Sequence, residues 1–247
     1  MKVVGIDVCN GGWFAVFISK DYWMVEIFKN LDEIVSKWNE SDLFLVNVPI
    51  GLMDGSHKER KCDIEARKFL SISSGIDLPP IPCREAICCN SFSTANIINK
   101  SLTGRYFPTR LWQIVDNIRE VDNFLIKNVE YREKFKECNS EIGFYVLGSK
   151  VMRNSKTILA GYNERRDVLR KVYPDIDEIL EYSIKQYRRK DLKADDVLDA
   201  VCVAINGYVG LKNGFNKMPN ETEYDSNGIK MQIEVANYGE IYNKSVI

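Results

Sequence analysis

Histidine is all but missing from this sequence, with one residue, His57, in a chain of 247. A Ser-His-Asp triad, a Cys-His pair or a histidine-held metal would have to be built around it. It stands in Gly55-Ser56-His57-Lys58, a polar stretch ahead of a helical pattern, and reads as a solvated loop residue. No GxSxG elbow, P-loop or GxGxxG fingerprint occurs either, which excludes the common nucleophile and nucleotide-loop chemistries. Long apolar runs are missing too: none approaches the roughly 20 residues that span a bilayer, so no membrane association is expected. The opening MKVVGID enters a strand pattern at once and carries no signal-peptide core. Lipidation boxes are absent at both ends. Cysteine is present seven times, an odd count with irregular spacing and no CxxC pair. That argues against a disulfide framework or a zinc ribbon and for reduced thiols in a cytoplasm. Net charge of one sign is lacking as well. The formal charge is −1 with a pI near 6.0, so no global basic field advertises nucleic acid, although a local basic patch would still serve.

What is there is an ordinary globular composition, 45% hydrophobic and 28% charged. The length suits one elaborated domain. With histidine and nucleophile motifs set aside, aspartate and glutamate are left to carry any catalysis, and oxygen-only ligands favour Mg²⁺ or Mn²⁺.

Periodicity predicts an α/β protein. Lys2 to Asp7 is short, apolar and β-branched; Gly11-Gly12 allows a tight turn into a second strand, Trp13 to Ser19, followed by a third, Tyr22 to Phe28. Asn30 can cap a helix running to Trp38, and the apolar Leu43 to Val48 then pairs parallel to the first strand. Helices are expected over residues 58–70, 85–100, 111–127, 162–172, 176–187 and 194–211. The Ser- and Pro-rich residues 71–84 read as a loop. Phe135 to Cys138 forms a fifth strand, Glu141 to Gly148 either its extension or a short helix, and residues 229–235 a terminal strand. Helical insertions therefore fill about 58–130 of a single domain.

Three groups of residues are expensive to explain as decoration. Asp7 ends an apolar strand, where a charge needs a partner; the bland alternative is that it accepts the amides of the Gly11-Gly12 turn. Asp195, Asp196 and Asp199 open a helix and share a sector of about 100°. Complementing the helix dipole accounts for the first two but not for Asp199, one turn in among Leu198, Ala200 and Val201. Repulsion at that spacing would be relieved by a cation. Basic residues gather at Tyr187-Arg188-Arg189-Lys190, as a solvated linker or as phosphate contacts. Arg60/Arg67 and Arg165/Arg166 are equally open between helix surface and anion binding, and Arg84, after the Pro-rich loop, is a better anion candidate.

The motifs GIDVCNGGW (Gly5 to Trp13), NVPIGL (Asn47 to Leu52), RKCDIEAR (Arg60 to Arg67), PCREA (Pro82 to Ala86), IREVD (Ile118 to Asp122), SKT (Ser155 to Thr157) and DDVLDA (Asp195 to Ala200) occur in that order. Together they resemble the domain-of-unknown-function family numbered four hundred and twenty-nine, described as predicted nucleases of ribonuclease H-like fold. The resemblance runs from Gly5 to about Val235. It implies a mixed five-stranded sheet in the order of ribonuclease H with helices on both faces, and a site of carboxylates from the first strand, the fourth strand and the last helix. DDVLDA resembles the final helix of RuvC-type resolvases, where two acids three residues apart help to hold metal. Carried over by position, the catalytic set is Asp7, Asp196 and Asp199 with Glu137 and Glu141 as auxiliaries. The metal ligands are Asp7, Asp196, Asp199 and Asn47, and the ion is Mg²⁺ or Mn²⁺. Arg84, Lys156, Arg165 and Arg67 would contact the phosphates of a nucleic acid.

Two departures bear on activity. Where the family usually reads DIPIGL, this chain has Asn47-Val48-Pro49-Ile50, so the site loses a charge and keeps only an amide oxygen. The family's His-Pro-Glu appears as Asn139-Ser140-Glu141. The expected activity is metal-dependent hydrolysis of a phosphodiester. The alternative is a weakened or inactive ribonuclease H-like scaffold that binds nucleic acid or a protein. A phosphate loop of the sugar kinase and actin type would need a second domain and a second loop that this length does not supply.

Overall fold

The structure is a computed structural model that describes residues 1–55, 59–73 and 78–238. His57 lies outside the described residues. Among the described residues seven strands form one mixed sheet: β1 (Val3–Cys9), β2 (Gly12–Ile18), β3 (Trp23–Phe28), β4 (Leu43–Val46), β5 (Phe135–Glu137), β6 (Phe215–Tyr224) and β7 (Lys230–Ala236), in the order β3-β2-β1-β4-β5-β7-β6. The described helices are α1 (Leu31–Lys37), α2 (Lys61–Ser73), α3 (Arg84–Ile87), α4 (Phe92–Thr103), α5 (Thr109–Trp112), α6 (Val115–Lys127), α7 (Ser140–Gly148), α8 (Leu159–Val172), α9 (Ile176–Gln186) and α10 (Ala194–Asn213). No helix among the described residues is long and apolar enough to cross a membrane.

The strand count corrects the expectation of five. The α/β class and the mixed sheet stand, and two strands join the five: β7, which answers to the terminal strand expected over residues 229–235, and β6, which was not expected. Its sequence, FNKMPNETEY, has a proline at position 219 and alternates poorly, which argues against a strand. It is tolerated because β6 is the last strand of the sheet, where a missing N–H goes unused. Residues 85–100 form two helices rather than one, since Ser91 accepts from Thr94 N at 3.2 Å and caps a fresh start. Asn139 does the same for α7, accepting from Ile142 N at 3.2 Å, so residues 141–148 are helical and do not extend β5.

By contact the chain divides into two compact units. The first comprises Met1–Asn47, Lys134–Lys217 and the chain from Glu234 onward; the second comprises Val48–Glu133 and Met218–Ile233.

In the first unit β1 is buried along nearly its whole length, antiparallel to β2 and parallel to β4, as its continuous apolar run requires. The β1–β2 hairpin closes over Asn10-Gly11, with Cys9 opposite Gly12. Helices cover both faces. On one, Trp38 after α1 packs on Phe17 and Phe28 with ring centroids 5.7 and 5.1 Å away. On the other, α10 lies across β1 and β2 and buries Val197, Leu198, Val201 and Ile205, each contributing roughly 1.5–3 kcal/mol of apolar transfer. Its approach to β1 is close enough to require glycine at position 5: a Cβ there would sit 2.3 Å from Ala204 N and 2.5 Å from Ala200 O.

In the second unit a small core of Cys83, Ala86, Ala95, Phe107 and Leu111 forms around α3 to α5. Arg60, fully buried, ties Asp63 to the carbonyls of Ile50 and Gly51.

Candidate functional site

The contact between β1 and α10 decides where the carboxylates go. Asp7 is two residues beyond Gly5 on the same face of β1, and Asp199 immediately precedes Ala200, whose carbonyl packs against Gly5. Both side chains are buried, at 7% and 1% exposure, and the Asp199 charge raises the cost of ionising Asp7. Burial pushes the Asp7 carboxyl well above the usual range, and the neighbouring Asp199 adds to it; Lys156 and the hydrogen bond from Asn47 pull the other way. Asp199 is raised to about 6, again first by burial, against the opposing pull of Lys156. Asp7 does not serve the glycine turn: the Gly11 amide goes to Asp191 O at 2.9 Å, and Asp7 Oδ1 accepts from Asn47 Nδ2 at 3.0 Å.

Around the pair stands a polar frame from α7, α8 and the segment between them. Lys156 Nζ donates to Asp199 Oδ2. Burial lowers the lysine's pKa, but the charges of Asp199 and Asp7 outweigh that and hold it above the ordinary value. Asp199 Oδ1 is buried and makes no hydrogen bond of ordinary geometry among the described residues, although the nearby Ser140 hydroxyl favours the charged form of Asp199. The segment bearing Lys156 is pinned to α8: Glu164 Oε2 accepts from the amides of Arg153 at 3.0 Å and Asn154 at 3.1 Å. Gly161 admits Ser155 so closely that a Cβ would lie 2.0 Å from its carbonyl oxygen.

The remaining expected residues divide by what they touch. Asp196 is half-buried at the start of α10 and accepts from Lys193 N at 3.0 Å, so it caps its own helix while adding negative potential at Asp7. Asn47 turns its oxygen away from Asp7. Its carbonyl accepts Ser140 N at 3.0 Å, and it turns its amide nitrogen toward Asp7. Glu141 is gripped by Arg165 Nη2 at 3.0 and 2.9 Å, and Arg165, 3% exposed, donates as well to Asn154 O at 2.8 Å. This pair braces the frame, and the Glu141 charge still reaches the site, where it raises both Asp199 and Lys156.

Glu137 falls on the wrong face. The register aligns Val46 with both Ile6 and Glu137, and strand alternation puts those three opposite Asp7. Arg84 and Arg67 belong to the second unit and are spoken for there. Arg84 Nη2 pairs with Asp225 at 2.6 Å and Asp122 at 3.1 Å, and Arg67 with Glu59 and the Leu78 carbonyl. Neither is placed as an open phosphate contact. Ser140 and Glu164 are the participants that sequence reasoning did not single out. Their work is local hydrogen bonding to chain segments many residues away, which leaves no pattern in spacing.

Among the described residues no group of three or more His, Cys, Asp or Glu side chains is placed to hold a metal. Two carboxylates, Asp7 and Asp199, converge, and among the described residues Asp199 Oδ1 makes no hydrogen bond of ordinary geometry. That donor set falls short of a two-ion centre but fits one hard cation, since Mg²⁺ is commonly held through one or two carboxylates with water completing the octahedron.

No curated protein and no solved structure matches this chain. Residues 5–223 match the model of the family described as "Protein of unknown function (DUF429)", and with most of its length covered the chain belongs to that family.

Proposed function

We propose that the first unit is a ribonuclease H-like, metal-dependent phosphodiesterase acting on nucleic acid, with Asp7 and Asp199 holding one Mg²⁺ or Mn²⁺. The observation that carries this reading is the meeting of two desolvated carboxylates, Asp7 and Asp199, the second with an oxygen, Oδ1, that makes no hydrogen bond of ordinary geometry among the described residues. Two acids brought together from positions 7 and 199 repel, and an unsatisfied buried carboxylate oxygen is costly; a cation removes both costs at once. The order β3-β2-β1-β4-β5, with β2 antiparallel to both neighbours and β1, β4 and β5 parallel, supports the ribonuclease H-like assignment. The seven free cysteines accord with a reducing, cytoplasmic setting.

Asp7 and Asp199 would hold the ion, which would supply an activated water and offset charge on the phosphate. The chain's own residues do the rest. Asn47 holds Asp7 in one orientation from a position itself fixed by the Ser140 amide. Lys156 keeps a positive charge at the pair and can turn its ammonium from Asp199 to a phosphate oxygen. The Glu141–Arg165 clamp keeps the Lys156 segment in place. A nuclease assay in Mg²⁺ or Mn²⁺, on DNA and RNA of both strandednesses, tests this with Asp7→Asn as control: a loss of 100-fold or more is expected, and equal cleavage by both proteins rejects it.

A second reading, a scaffold that binds nucleic acid without cleaving it, is favoured by one observation: the Asn47 amide and the Lys156 ammonium already give the carboxylates donors. Metal-dependent cleavage gained on Asn47→Asp, and lacking in the native chain, would decide for it.

A further inference from the structure

A cleft of about 730 Å³ opens beside the carboxylate pair, wholly within the first unit, and Lys156 belongs to both. Its walls come from the start of α8 (Leu159, Tyr162), the end of α9 (Ile184, Tyr187) and the linker into α10 (Arg189, Lys193). The volume is that of a small-ligand site. Its chemistry is mixed in one particular way. Leu159 and Ile184 expose 76% and 52% of their surface to water, an expense with no return in the folded chain alone. Arg189 and Lys193 are exposed and form no ion pair among the described residues. Arg189 belongs to the basic run after Tyr187, and Lys193 follows three residues beyond its end. A carboxylate, Asp195, shares the rim.

Flat apolar faces next to open cations, leading by way of a lysine to a carboxylate pair, suit a ligand that is aromatic and anionic in alternation. We infer that this cleft seats an unpaired nucleotide of a single-stranded nucleic acid, its base among Tyr162, Tyr187 and the exposed aliphatics, and its phosphates over Arg189 and Lys193. The inference rests on the nucleic-acid reading above and deepens it to a substrate class. A pocket of this size admits one base that has left its stack, whereas a base held in a duplex keeps its faces covered. Strand and phosphate would then run past Lys156 toward Asp7 and Asp199.

The test is fluorescence anisotropy with a labelled oligonucleotide of about 12 residues, in chelator so that nothing is cleaved, against the same sequence as a duplex. Single strand is expected to bind at least about tenfold tighter than duplex. The double variant Arg189→Ala/Lys193→Ala should lose about tenfold or more and flatten the salt dependence by about 1.4 in log–log slope. The charge-keeping Arg189→Lys/Lys193→Arg should retain that slope, which separates lost contacts from a lost fold. Leu159→Asp should weaken binding through the base-facing wall. Equal affinity for duplex and strand, an unchanged slope in the alanine variant, or equally tight binding of poly-glutamate overturns the inference. The two proposals fail separately: strand binding without metal-dependent cleavage sinks the hydrolytic reading and leaves the cleft assignment standing. Asp7-dependent cleavage with no preference for single strands does the reverse.

Discussion

Asn47 Nδ2 lies 3.0 Å from Asp7 Oδ1 and donates to it, while the same side chain accepts the Ser140 amide at 3.0 Å. An aspartate at position 47 would keep the second bond, because either carboxylate oxygen can accept it. It would lose the first and aim an oxygen at Asp7 instead. Asn47→Asp is therefore expected to cost about 1–3 kcal/mol in the absence of metal and to strengthen Mg²⁺ or Mn²⁺ binding about tenfold or more. Thermal melts with and without the ion measure both, and a variant unchanged in both respects would show that Asn47 has no bearing on the pair.

Lys156 is the other cation in the site and competes with a metal for Asp199. It is also one third exposed, which keeps its removal below the full cost of breaking a buried pair. Lys156→Gln should lower the metal-free stability by about 1–3 kcal/mol and enlarge the stabilisation that Mn²⁺ confers. A loss of stability with no gain in the metal response would make Lys156 structural only.

The acidity of the pair fixes a direction with pH. Asp199 binds its proton up to about 6, against an ordinary 3.8, so between those values the folded chain holds more protons than the unfolded one. Its contribution to stability therefore falls as pH rises through that window and stays low above it; Asp7, shifted upward as well, acts in the same sense. Asp199→Asn should remove part of this slope, seen as a smaller difference in urea midpoint between the acid and the neutral side of the window. A variant with the native slope would show that Asp199 is not the group titrating.

Gly5 permits the approach of α10 to β1 and with it the meeting of Asp7 and Asp199. Because a Cβ would lie 2.3 Å from Ala204 N, Gly5→Ala should destabilise by about 3 kcal/mol or more. An alanine variant with a native melting temperature would mean that the helix stands farther off.

Asp7 and Asp199 were legible in sequence because a carboxylate inside an apolar strand, or one turn into an apolar helix, breaks a pattern that physics otherwise enforces. What they meet was not legible. Glu137 stands in a strand near the site in sequence terms, and only the register of β4 on β5 reveals that it faces away. Arg84 reads as an anion contact until Asp122 and Asp225, 38 and 141 residues onward, are seen to hold it. Arg165 and Glu141 were each singled out, yet their mutual grip depends on how α8 lies against α7. β6 escaped because proline and asparagine weigh against a strand in general and much less at a sheet edge.

The claim on which the rest depends is that Asp7 and Asp199 share a divalent cation, and calorimetric titration with Mn²⁺ at neutral pH reads it directly. One ion bound per chain, with binding abolished in both Asp7→Asn and Asp199→Asn, is the expected result. No binding heat in the native chain, or the same binding in all three proteins, would contradict it.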